Sequence, residues 1–389
     1  MSDNFTEVTH QSWFSRITGA IGGIFFGLIL VAGAVLLLFW NEGREVKTAK
    51  SLKEGEGAVI SAEAGTVNPA NNHKLVHVTA QAATAAVLRD PVFGVSANAI
   101  RLDRKALMYE WKETKKSETH KNLGGSTDTV TTYSYAKSWE NGVIDSTHFN
   151  QAADHVNPTK MLTGNFGAVA KDVSFGAFKL PSSAISRMPG DEPLALDEGS
   201  LEKLAPAMKA KAHLADGTVY IGKDPQAPEI GDQKFQFTAL LPGGFSIVAR
   251  QIDNTFEPYP THAGREIMIV EAGDVSADLM FNHAEKENQT LAWILRGVGV
   301  FVMFLGLLMI FSPISVFADV IPLLGDIIGM GTALAALLIT MALSLITIAV
   351  AWITYRPVLG GGMLAVAIAW LVFSKRLGGK KAAAVAPAA

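Results

Sequence analysis

The sequence contains no cysteine, which excludes disulfides, thiolate nucleophiles, iron-sulfur clusters and thiolate zinc sites. It is also poor in charge: 18% of its 389 residues are Asp, Glu, Lys or Arg, against roughly 25% in an ordinary soluble domain. The deficit is concentrated. No charged residue stands in Ile17–Trp40, Gly297–Ala318, Ile327–Tyr355 or Pro357–Ser374. A basic surplus is lacking too, because Glu42–Thr290 holds 26 Lys and Arg against 32 Asp and Glu, a balance of -6. Nucleic acid, whose phosphates call for a basic face, is therefore excluded as a partner. No GxxxxGK[ST], HExxH or GxSxG pattern occurs, so the phosphate-loop, zincin and serine-hydrolase signatures are missing as well.

What is present is membrane sequence. An uncharged run over residues 18–40 exceeds the ~20 apolar residues that cross a bilayer. Arg16, opposed by Asp3 and Glu7, makes a weak basic leader, so this run reads as an uncleaved anchor after a cytosolic N-terminus, 1–17. Three further spans are expected within 291–374, near 294–312, 329–354 and 357–373, with a basic, then Ala-rich cytosolic tail over 375–389. Pro313 and Pro322 bracket an expected interfacial turn that carries Asp319 and Asp326. Four spans place both termini on one side, and Arg16, Lys375, Arg376, Lys380 and Lys381 favour the cytosol for it.

Between the first span and the rest lies a large region, 41–290, rich in strand-like runs: 57–62, 74–80, 107–114, 129–139, 218–222, 234–240, 245–251 and 266–271. LMYEWKET and TYSYAKSW alternate, and they predict a hairpin with an aromatic face of Tyr109, Trp111, Tyr133, Tyr135 and Trp139, joined by a polar loop over Lys115–Asp128. Core packing explains such a face more simply than a ligand platform. Helices are expected at Pro158–Asp172 and Ser200–Lys211, the latter broken by Pro206. The fold class is therefore α+β, a β-rich extramembrane domain inserted between one N-terminal and three C-terminal transmembrane helices.

Candidate chemistry is sparse. His73 and His77 lie four apart in a strand-like run, too far apart for one metal ion. His148 and His155, beside Asp145 and Asp154, read as solvated loop, as does the acidic run Asp191, Glu192, Asp197 and Glu198. In the first span Gly19, Gly23 and Gly27 share one face, widened by Gly22, and suit close helix packing. Arg296 falls one turn inside the second span and Arg356 between the third and fourth; both are near helix ends and can reach headgroups. Coupled polar residues within the spans are missing, which disfavours transport or channel activity.

Several short segments are collinear with a known family. They are GGIFFG (22–27), NEGR (41–44), TAKSLKEG (48–55), LVHV (75–78), DPVFGV (90–95), YEWKET (109–114), TYSYAKSW (132–139), HVNP (155–158), EIGDQKFQF (229–237), VARQ (248–251), AGDVSA (272–277), LRG (295–297), Asp319/Pro322/Asp326 and TYRP (354–357). In this order the chain resembles the transmembrane protein 43 (LUMA) family over nearly its whole length, and the Ala-rich tail suggests a bacterial member. The resemblance implies four spans, cytosolic termini and a large domain in the lumen, or in the periplasm of a bacterium whose inner membrane holds the chain. Animal relatives of the endoplasmic reticulum and inner nuclear membrane self-associate and organise complexes with lamins and emerin. A bacterium has neither partner, so only the organising role carries over.

The expectation is a non-enzymatic membrane scaffold without cofactor or metal, a homo-oligomer whose partners are membrane lipids and other membrane proteins. Its expected interaction residues sit at membrane boundaries: Asn41, Glu42, Gly43, Arg44, Arg296, Asp319, Pro322, Asp326 and Arg356. The alternative is a lipid-handling protein with a membrane-proximal cavity lined by Phe166, Phe175, Phe178, Leu180 and Pro181.

Overall fold

A computed structural model describes residues 3–196, 198–202, 204, 206–358 and 360–362. Labelled in chain order, its main elements are β1 (Asp3–Gln11), α1 (Trp13–Ala58), β2 (Leu75–Ala83), β3 (Arg101–Lys121), β4 (Thr127–Asn141), β5 (Ala212–Ala215), β6 (Thr218–Ile221), β7 (Gln233–Leu240), β8 (Gly243–Ile252), β9 (Ile269–Ala272), α2 (Ala277–Ala318) and α3 (Pro322–Tyr355). They fall into two compact units. A strand-rich unit takes the chain up to Thr9, Ser51–His120 and Thr129–Ala284; a helical unit takes His10–Lys50, Lys121–Asp128 and the chain from Glu285.

The helices are longer than the apolar runs that predict them. α1 continues 18 residues past Trp40 because NEGREVKTAKSLKEGEGA is rich in Glu, Lys, Arg and Ala and free of proline. The strand expected over 57–62 shrinks to Ile60–Ser61. α2 starts at Ala277, well before the expected span, and Pro313 lies inside it rather than in a turn. Among the described residues three helices are long and apolar enough to cross a membrane. Of the fourth expected span, 357–373, residues 357, 358 and 360–362 are helical; the remainder, with the 375–389 tail, lies outside the described residues.

In the strand-rich unit one sheet runs β1-β4-β3-β7-β6-β5. β3 and β7 are antiparallel from Arg101↔Leu240 to Met108↔Gln233. A second sheet is centred on β2 and β8, antiparallel from Leu75↔Arg250 to Ala82↔Gly243, with β9 on β8 and Ile60–Ser61 parallel to β2. Its core joins Val76, Val78, Phe175, Phe178, Leu180, Ile247 and Phe256. Phe175 and Phe178 pack on Phe256 with ring centroids 6.1 and 4.9 Å away. Two of the rings proposed as a lipid-cavity lining are thus fully buried in a filled core.

Three other expectations change. The loop expected over Lys115–Asp128 is mostly strand, closed by a short turn in which Gly124 and Gly125 have φ of +88° and +81°. Hydroxyl pairs hold the extension: Ser117 with Thr131 and Thr119 with Thr129, each at 3.0 Å. The helix expected over 158–172 is loop with a strand at Phe166–Val169, because that segment pairs with β3. His155 is buried, stacked 3.7 Å from the Tyr135 ring and edge-on to Trp111 at 4.7 Å. The aromatic hairpin face thus covers a histidine that looks like solvated loop in the sequence.

DPVFGV is explained by a buried ion pair. Asp90 accepts hydrogen bonds from the N–H groups of Val92 and Phe93 at 2.9 and 2.7 Å and from Arg104 at 2.5 Å. Gly94, at φ +65°, closes the turn back onto the Asp90 carbonyl. His77 bonds the Val275 carbonyl at 2.8 Å. Among the described residues no group of three or more His, Cys, Asp or Glu is placed to hold a metal.

Glu110 is buried on β3, one carboxylate oxygen accepting from the N–H of Ile144 and the other without a partner. Burial raises its pKa above the ordinary 4.5, the Ile144 hydrogen bond opposes this, and the charge of Glu140 adds to it. A raised acid pKa means that the folded chain holds the proton more tightly than the unfolded one. The stability this provides is full below pH 4.5 and is lost as pH rises through the folded value. Glu110→Gln removes that titration. Unfolding of the two proteins between pH 4 and 7 is expected to give a flatter curve for the variant, the slopes differing by at most about 1.4 kcal/mol per pH unit.

Candidate functional site

Within the helical unit the charged residues gather at two ends, and the geometry of each end follows from helix spacing. At the first end α1 carries Asn41, Glu42, Arg44 and Glu45 within little more than one turn. The Glu42 side chain is fully buried. Its carboxylate accepts two bonds from the Arg296 guanidinium, at 2.6 and 2.9 Å, and one from the Trp352 indole N–H at 2.7 Å. One carboxylate thereby joins α1, α2 and α3. A buried carboxylate in an apolar helix unit is tolerable only when paired and hydrogen-bonded in this way.

The neighbours complete the clamp. The Asn41 amide donates to the Ala292 carbonyl at 3.0 Å, and Arg44 donates to Asn288 at 2.8 Å. Asn288 in turn donates to the Glu45 carbonyl at 3.1 Å. Arg356, at the end of α3, pairs with the Glu45 carboxylate. Gly43 is where the Tyr355 ring lies: a methyl group there would stand 2.6 Å from the ring. NEGR and TYRP, at opposite ends of the sequence, are thus in contact. Arg296 and Arg356, expected to reach headgroups, are ion-paired inside the unit instead, and the paired charges missing from the sequence reading are present.

Between the ends α1 and α2 cross at glycines. A methyl group on Gly27 would lie 2.6 Å from the Gly306 carbonyl oxygen, and Gly306 approaches Gly27 as closely in return. Ala34, Leu38, Met303, Leu307 and Ala336 fill the helical core below. Gly23 meets Met309, whereas Gly19 and Gly22 face open space. Beside them an apolar groove of about 630 Å³ is bounded by Phe26, Leu30, Leu305, Leu308 and Met309, with Arg16 at one end.

At the second end Asp319 is nearly inaccessible. It pairs with Arg16 and accepts from Lys121 Nζ at 2.7 Å, while Asp326 accepts from the same nitrogen at 2.9 Å. Pro322 occupies the first turn of α3, which places Asp326 one turn further on. Gly325 is required because the Asp319 side chain folds over it. The tip between β3 and β4 docks here: Gly124 N–H donates to the Val320 carbonyl at 3.0 Å, Arg16 donates to the Gly125 carbonyl at 2.5 Å, and Gly125 lies flat under the Trp13 ring.

Sequence reasoning placed most of these residues at membrane boundaries, but it missed Glu45, Lys121, Asn288, Gly306, Gly325 and Trp352. Gly306 had a signal, since it recurs seven residues after Gly299, which packs against Leu38. Gly325 is an isolated glycine six positions after Asp319, and Glu45, Lys121, Asn288 and Trp352 are single residues whose partners lie 198 to 311 positions away.

Three apolar helices, clamped together by their own ion pairs and interrupted in sequence by a strand-rich region, define a multi-pass membrane protein. This chain belongs to the transmembrane protein 43 family. A family model described as Transmembrane protein 43 matches residues 108–357. Human transmembrane protein 43 is 32% identical over 90% of this chain and 88% of its own length, and the rat protein 30% identical over 91% and 89%. The Drosophila melanogaster homolog is 27% identical over 72% of this chain and 74% of its own. No solved structure matches.

Glu42→Ala strands the Arg296 guanidinium and is expected to destabilise the protein by about 3–5 kcal/mol, as for other broken buried pairs. Thermal unfolding in lipid nanodiscs measures this, with Glu42→Gln as the milder comparison. At the helix crossing, Gly27→Val should cost about 1–3 kcal/mol through overpacking, whereas Gly22→Val should leave the unfolding midpoint unchanged.

Proposed function

We propose that this protein is an integral membrane scaffold that self-associates through its helices and organises other membrane proteins. The observation that carries this reading is the use of its buried charge. Glu42, Glu45, Arg296, Arg356, Arg16 and Asp319 are all engaged in fastening helices to one another. The outer faces of the helices, with Phe25, Ile29 and Leu36 on α1 and Leu338, Leu345 and Ile346 on α3, stay exposed within the chain. A rigid anchor with a broad apolar flank suits lateral contact with lipid and with other helices. The reading assigns no enzymatic activity. The resemblance and the Ala-rich tail support a bacterial inner membrane, with the strand-rich unit in the periplasm and the start of α1, together with the tip at Lys121–Asp128 that binds it, facing the cytosol.

A lipid-handling role is the second reading, and the groove beside Gly19 and Gly23 favours it: apolar walls match an acyl chain. Mass analysis of the full chain in native lipid nanodiscs tests both. A multi-copy assembly with defined co-isolated membrane proteins is expected. A single copy carrying one stoichiometric lipid, lost on Gly23→Leu, would replace the scaffold reading with the second.

A further inference from the structure

A cavity of about 740 Å³ lies wholly within the strand-rich unit, at one end of the β5, β6 and β7 part of its sheet. That is the size of a small-molecule site. The strand register explains where it forms. Ala212 pairs with Ile221 and Ile221 with Gln233, and the Gly222 N–H donates to the Lys211 carbonyl at 3.0 Å. Beyond that row the three strands end together, and the connection 222–232 closes the space.

The connection is held by its own bonds. The Tyr220 hydroxyl donates to the Asp224 carbonyl at 3.0 Å and to the Asp232 carboxylate, which also accepts the Glu229 N–H at 2.8 Å. The Gly231 N–H donates to the Tyr109 carbonyl at 2.9 Å, and the Tyr109 N–H to the Asp232 carbonyl at 2.8 Å. A wall fastened in this way is formed before any ligand arrives, which lowers the ordering cost of binding. Of the two acids that line the cavity, Asp232 is engaged by Tyr220 and Glu229 is exposed to solvent.

The remaining polar groups are donors. Lys211 and Lys223 line the cavity, and neither is ion-paired among the described residues. Gln233 lines it as well and is 5% exposed. Its side-chain oxygen accepts the Leu162 N–H at 3.1 Å, which fixes the orientation of the amide. The amide nitrogen then has no acceptor among the described residues. A buried donor left without a partner is costly, and an acceptor bound in the cavity satisfies it. Leu162, Met208 and Ile221 add an apolar wall.

Two ammonium groups and an amide N–H facing one cavity call for several acceptor oxygens and more than one negative charge. A phosphate monoester supplies three such oxygens and a charge of about -1.5 to -2 at neutral pH, whereas a carboxylate has two oxygens and a single charge. We infer that this cavity binds a small phosphate monoester. Its phosphate sits on Lys211, Lys223 and the Gln233 amide, and its hydrocarbon part lies against Leu162, Met208 and Ile221. The inference is independent of the scaffold role, which needs no small ligand.

Calorimetric titration of hexyl phosphate into the full chain in phosphatidylcholine nanodiscs tests this, with empty nanodiscs as the blank. One site per chain is expected. Lys211 and Lys223 are both exposed, so the double variant Lys211→Ala/Lys223→Ala keeps its fold, and it should bind about a hundredfold more weakly. Gln233→Glu keeps the oxygen that accepts from Leu162 but replaces the donating nitrogen, and should cost about tenfold or more. Lys171→Ala, outside the cavity, should leave the affinity unchanged. Hexanoate and inorganic phosphate are each expected to bind about tenfold or more weakly than hexyl phosphate, the first for want of charge and the second for want of apolar contact. Unchanged affinity in the lysine double variant overturns the inference, as does hexanoate or inorganic phosphate binding as tightly as hexyl phosphate, or the absence of saturable binding.

Discussion

The helical unit is organised around one carboxylate. Glu42 stands fully buried at the polar end of the apolar run of α1, and its burial is possible because Arg296 and the Trp352 N–H converge on it. That requirement fixes the rotation of α2 and α3 about their axes relative to α1. Once the rotation is set, Gly27 meets Gly306, Gly299 meets Leu38, and Tyr355 finds the gap at Gly43. The close crossing of α1 and α2 and the charge cluster are therefore parts of one arrangement.

The second end repeats the logic with different residues. Asp319 is buried and takes two cations, one from the start of α1 and one from a hairpin tip nearly two hundred positions earlier in the chain. A lysine on a flexible stem and an arginine with a planar fork divide the work. The same end also holds the turn between α2 and α3, so the tip at Lys121–Asp128 and a helix turn within the helical unit are joined through shared carboxylates. In the strand-rich unit Asp90 does comparable work on a smaller scale, holding Arg104 and two backbone N–H groups of a tight turn.

Much of this architecture was legible. The apolar runs locate α1, α2 and α3 because membrane thickness sets their length, and period-two alternation locates most strands of the two sheets. Element boundaries were less so. Asn41–Ala58 is polar, so hydropathy ends the span at Trp40, while helix propensity carries α1 on through Glu, Lys and Ala. Lys115–Lys121 looks like loop because neither face is apolar; it is strand because the partner strand supplies hydroxyls at matching positions. His155 shows the same limit, since its burial depends on Tyr135 and Trp111 and on no local pattern.

By itself the sequence determined the class of fold, three of the membrane segments, the absence of thiol chemistry and the Gly23 and Gly27 contacts of the first helix, since each depends on composition or on neighbours a few positions apart. It also marked Glu42, Arg296, Asp319, Asp326 and Arg356 as residues out of place near apolar runs. Which of them meet was decided by tertiary structure alone: Glu42 with Arg296, Glu45 with Arg356, and Asp319 with Arg16 and Lys121. The physical reason is that ion pairing is set by distance in space, and partners 198 to 311 positions apart come together only after helix packing has fixed where each side chain points.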